Sequence, residues 1–204
     1  MLRTLMFRNH TSGGRFLTAA ALCLLLQASR AAAQPPPATV TVVEQRGVYT
    51  VVARFVVDQP PSVALAVLSD YEQIPRFMPG VRTSIVRERT ARWAMVEQEA
   101  VSSVMMFSKR VHLVLEIDES PDTLIFRDRC GRSFVRYEGA WRVSAQDGRT
   151  ALTYELTAEP SFDVPGFLLK RLLRRDSREM IERLQREIAM RGAPGNSTAV
   201  EPVK

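Results

Sequence analysis

Apolar and polar positions alternate along residues 49–58, with Val51, Ala53, Phe55 and Val57 on one face and Thr50, Arg54 and Asp58 on the other. A period of two with one apolar side predicts a half-buried strand, which Pro60 and Pro61 end. The spacing then changes. Val63, Ala66, Val67 and Tyr71 recur at helical intervals, predicting a short amphipathic helix over 62–71. Two prolines and a glycine interrupt 74–80, which predicts a turn or a single helical turn. Alternation returns in six runs, at 81–88, 93–101, 105–118, 123–130, 133–144 and 150–159. Their links are too short for crossovers, so neighbours must be antiparallel. In the longest run Met105, Phe107, Val111, Leu113, Leu115 and Ile117 face away from Ser108, Arg110, His112, Glu116 and Asp118, so one side of the sheet meets water. A last helix is predicted from Pro165 to Arg191, where Gly192 stops it. Its stripe is Leu169, Leu172, Leu173, Met180, Ile181, Leu184 and Ile188, and a helix this long must lie along the whole sheet to bury it.

The two ends follow other rules. Arg3, Arg8 and Arg15 precede an uncharged, largely apolar run over 16–28, and Ala31-Ala32-Ala33 supplies small residues for cleavage, so 1–33 reads as a signal peptide. Export to the periplasm or beyond is the direct expectation, and a mitochondrial transit peptide is the rival. Cleavage after Ala33 removes Cys23 and leaves Cys130 as the one thiol, a small core or cavity residue in its strand. Residues 34–45, with three consecutive prolines, read as a linker, 46–191 as one domain, and 192–204 as a disordered tail. The net charge of +6 shrinks once four leader arginines are set aside, since 24 basic residues then face 22 acidic ones. That balance removes the compositional argument for nucleic-acid binding.

Three stretches carry a family resemblance: Ser69-Asp70-Tyr71-Glu72-Gln73-Ile74-Pro75-Arg76-Phe77-Met78-Pro79-Gly80-Val81, the step Gly139-Ala140-Trp141, and residues 160–165 leading into the last helix. Together with the element order they resemble the START-like (SRPBCC) superfamily, and within it the polyketide cyclase/dehydrase and coenzyme-Q-binding type. The resemblance implies an α+β helix-grip fold: a curved antiparallel sheet of about seven strands around a long C-terminal helix, with two short helices after the first strand. It also implies a cavity for an apolar guest, which Phe77, Met78, Met95, Phe107, Tyr137, Trp141, Tyr154 and Phe167 would line. Taken singly, each of these side chains reads better as ordinary core filling, and the cavity is what the resemblance implies for the group.

Candidate chemistry is sparse. With His10 in the leader, His112 is the one histidine left, and alternation puts it beside Arg110 and Glu116 on the wet face. Glu97 and Glu99 share a strand face with Trp93 and Met95 and could pair as acid and base, but Ala94, Val96 and Ala100 compete for the inward side. There is no clustered Cys/His set for a metal, no phosphate loop and no dinucleotide fingerprint, so no cofactor is expected. The expected partner is a hydrophobic small molecule such as a lipid, quinone or polyketide-like ring, with a cyclase or dehydratase as the alternative. Lys170, Arg171, Arg174 and Arg175 beside leucines admit a passing contact with an anionic membrane, against an ordinary solvated helix face.

Overall fold

The computed structural model describes residues 37–193 except Pro79, Met105 and Met106, and gives the backbone alone for 102–104 and 107. The expected leader and nearly all of the expected tail lie outside the described residues.

Alternation makes the sheet. β1 (Thr39–Gln45) and β2 (Val48–Val57) form a hairpin whose two-residue turn, Arg46 and Gly47, has positive φ at both positions. Such turns match the twist of their strands. The linker expected over 34–45 therefore stops at residue 38. Sequence pattern missed β1 because it buries little on either face and is held by its ladder to β2. After β2 come α1 (Pro61–Leu68), a 3₁₀ turn at 71–73 and the one-turn α2 (Ile74–Phe77). Then follow β3 (Val81–Arg89), β4 (Trp93–Val104), β5 (Phe107–Glu119), β6 (Thr123–Asp128), β7 (Phe134–Gln146) and β8 (Arg149–Pro160). α3 (Gly166–Arg191) closes the domain. Cys130, expected in a strand, sits in the turn after β6.

The sheet has eight antiparallel strands in the order β1-β2-β8-β7-β6-β5-β4-β3, one more than expected because of β1. Its inner face carries the core: Val51, Ala53, Phe55, Val57, Ala94, Val96, Leu115, Ile117, Leu152 and Leu156 meet Leu172, Ile181, Leu184 and Ile188 of α3 in one cluster. At 1.5 Å per residue, α3 is about 39 Å long. It comes closest to β1, β2 and β4. β1 and β4 stand six positions apart in the sheet, about 29 Å if flat, so the sheet must curl around the helix. Its central strands then lie further from the helix than its flanks.

The stretch that opened the family resemblance is an anchor. Arg191 at the end of α3 pairs with Asp70 at 2.6 Å and with Glu187 at 2.7 Å. Tyr71 donates to Glu119 Oε1 at 2.9 Å, and Arg89 joins Glu119 to the carbonyl of Ser69. The turn carrying α2 is thereby fixed to both the helix and the sheet.

Candidate functional site

The middle of the inner face is aromatic. Trp141 on β7 lies 4.6 Å from Tyr154 on β8 and meets Phe55 on β2 edge-on at 6.3 Å. Tyr154 stacks with Phe126 on β6 at 6.1 Å, and Phe126 leans on Tyr137 at 6.0 Å. Tyr137 touches Phe134 at 4.8 Å, and Phe134 meets Phe162, in the segment before α3, at 6.2 Å. The seven rings run as a ladder across β2, β8, β7 and β6. Register aligns it: Trp141 opposes Tyr154, and Gly139 stands beside Phe126. A Cβ on Gly139 would come within 2.6 Å of the Phe126 ring and 2.1 Å of the Glu155 carbonyl oxygen. That glycine is what lets the ring lie flat on the strand.

Trp141 and Tyr137 are only half-buried although they occupy an interior strand on the face that α3 covers. Neither is sealed by the packing around it. Fully packed residues flank them, including Leu152, Tyr154 and Leu124. Burial pushes the phenols of both Tyr137 and Tyr154 above their ordinary pKa. Two other polar features face inward. Gln98 donates to Ser84 at 3.0 Å across β4 and β3. Lys109 on β5 has the same parity as Val111 and Leu113, and its ammonium lies 4.3 Å from the centre of the Phe162 ring.

Of the residues expected to line a cavity, Tyr137, Trp141 and Tyr154 belong to the ladder. Phe77 and Met78, half-buried at α2, pack against the core. Met95 does not join them: β4 turns Ala94 and Val96 inward against Ile117 and Leu115, which leaves Met95 opposite Glu116 on the outer face. Phe167 is also misplaced by sequence. It is 79 % exposed in the first turn of α3, directed away from the stripe that packs. The side chain of Phe107 lies outside the described residues. Pattern reading missed Phe55, Phe126, Phe134, Phe162 and Lys109 as parts of the site. Parity was available for Phe126, two residues from Leu124, and for Lys109, two from Val111, but not the tertiary meeting with Phe162.

The possible acid–base groups sit on the other side of the sheet. Glu97, Glu99 and His112 are brought together there, with His112 Nε2 3.6 Å from Glu97 and Nδ1 3.9 Å from Glu99. The hydrogen bond from Arg87 holds the Glu97 carboxyl below its usual range, and the 17 % exposure of His112 reflects cover by these glutamates, not entry to the interior. Cys130 is half-buried, and burial raises its thiol pKa, the reverse of what activates a nucleophile. Among the described residues no cluster of three or more His, Cys, Asp or Glu could hold a metal ion.

Among solved structures the chain is similar to the protein TTHA0849 from Thermus thermophilus, with 20 % identity and a TM-score of 0.62 over 71 % of this chain and 99 % of that one. It is similar to the Zhui aromatase/cyclase from a Streptomyces species, with 16 % identity and a TM-score of 0.61 over 72 % and 97 %. It also resembles a STAR-related lipid transfer protein from Xanthomonas axonopodis, with 14 % identity and a TM-score of 0.55 over 74 % and 98 %. These likenesses establish the START-like fold. No curated protein matches the sequence. Residues 57–185, more than half of the chain, match the family described as polyketide cyclase/dehydrase and lipid transport, and the chain belongs to that family.

Proposed function

We propose that this protein binds and carries a hydrophobic small molecule, such as a lipid, a quinone or a polyketide-like ring compound, between the central strands and α3. One observation carries the reading: Trp141 and Tyr137 remain accessible on an interior strand beneath the helix, offering flat apolar walls to a guest. Apolar contact there contributes about 25 cal/mol per Å² removed from water. A quinone guest would accord with the coenzyme-Q-binding resemblance of residues 69–81. The test is to extract the purified protein with organic solvent and identify what is released by mass spectrometry. A stoichiometric apolar compound is expected. An empty protein that also fails to bind lipid, quinone or polycyclic probes would end the proposal, and conversion of a bound polyketide with loss of water would replace it with a cyclase or dehydratase.

We further infer that the carrier works outside the cytoplasmic membrane, on the strength of the arginines, apolar run and alanines of 1–33. A mature chain beginning at Gln34, read by N-terminal sequencing, is the expected result; an intact leader in the cytosol would refute it. Loading from an anionic membrane is consistent with Lys170, Arg171, Arg174 and Arg178 exposed around Phe167 on the first half of α3. Sedimentation with phosphatidylglycerol vesicles should fall when Phe167 and Arg171 are replaced together by serine and glutamine, and unchanged sedimentation would remove the membrane from this account.

A further inference from the structure

The ring ladder is not apolar throughout: it ends in a charge. Lys109 points to the inner face of β5, and its ammonium rests over Phe162, the last ring, at 4.3 Å. Phe162 leads through Phe134 to Tyr137, the half-buried phenol at the near end of the accessible wall. Lys109 has no ion-pair partner among the described residues, whereas many arginines of the outer face are matched to glutamates. Cation–π contact holds an ammonium less strongly than a charge-assisted hydrogen bond and leaves its N–H donors open on the side away from the ring. A lone cation at the end of an apolar track is arranged to receive a guest that is apolar over its length and anionic at one end.

We propose that the guest is an amphipathic acid: Lys109 receives its anionic oxygen group, and its chain or ring lies along the half-buried Tyr137 and Trp141. This rests on the carrier reading above and adds the charge of the cargo. Two matched probe pairs test it by fluorescence titration of the whole protein: 1-pyrenebutyric acid against its methyl ester for a ring, and cis-parinaric acid against its methyl ester for a chain. The acid of at least one pair should bind about tenfold more tightly than its ester. Lys109→Met should bring that ratio to about one while ester binding persists, which also shows that the variant is folded. Lys109→Arg should keep the preference. Arg110→Met, one residue along but on the outer face, should leave it unchanged. Equal binding of acid and ester by the unaltered protein in both pairs overturns the assignment of charge and leaves the carrier reading standing. So does a preference that survives Lys109→Met or disappears with Arg110→Met. Binding of neither member of either pair overturns both readings.

Discussion

The two faces of this sheet are built from alternate residues of the same strands, yet they do opposite work. The outer face is a lattice of ion pairs: Arg87 with Glu97, Arg129 with Glu116, Arg127 and Arg136 with Glu138, and Arg142 with Glu155. The inner face has rings, small residues and a few polar groups. A sequence search for chemistry is drawn to Glu97, Glu99 and His112, which meet on the outer face, where Glu97 is paired with Arg87. The inner face looks poorer in functional groups, but there one ammonium or one phenol meets little neighbouring charge. Scarcity of charge on a covered face is therefore a better guide to a binding site than abundance on an open one.

The contrast can be broken from the inner side first. Gly139→Val should be the most damaging substitution, costing about 3 kcal/mol, because its new side chain meets both the Phe126 ring and the β8 backbone; the urea midpoint measures it. Leu152→Ala should cost a similar amount, about 3 kcal/mol, with little change in probe affinity, since Leu152 is fully packed. Trp141→Leu should cost less, about 2 kcal/mol, and yet weaken ring-probe binding severalfold, because part of the indole faces open space. If Leu152 and Trp141 variants lost binding in equal proportion, the distinction between packed and accessible inner residues would fail.

Titration sharpens the same comparison. The chain has four tyrosines, and burial raises the pKa of each one, Tyr49, Tyr71, Tyr137 and Tyr154. An unfolded chain releases phenolic protons near pH 10, where the folded chain keeps them. Stability should therefore be full below pH about 10 and fall as pH rises beyond it. Phenolate absorbance should appear together with unfolding, and Tyr154→Phe should make the alkaline fall shallower. On the outer face the sign reverses. Arginine hydrogen bonds lower the carboxyls of Glu97, Glu116 and Glu138, so their contribution is present above pH about 4.5 and is lost as pH falls below it. These carboxylates are exposed, so the effect should be the smallest of the series and fade with salt. Arg87→Ala should barely move the melting temperature, and a large drop would mean that the outer lattice supports the fold.

Seven of the eight strands and α3 were legible from alternation and helical spacing, because each expresses burial of one face within a few residues. β2 was legible from residue 49. β1 was not, since only Val42 is buried and the strand exists by virtue of its partner. The orientation of β4 was ambiguous because Ala94 and Val96 compete with Trp93 and Met95, all apolar; pairing with Leu115 and Ile117 decides it.

By itself the sequence determined the order of elements, the apolar stripe of the last helix and the family likeness of residues 69–81, all of which depend on neighbours in the chain. Only the tertiary structure decided that six rings from four strands and Phe162, before α3, form one ladder, that β4 turns Glu97 outward beside His112, and that Lys109 ends over Phe162. Those facts depend on strand register and on a helix that touches the flanks of a curled sheet more closely than its centre. Both are set by contacts between residues far apart in the chain, and no local pattern encodes them.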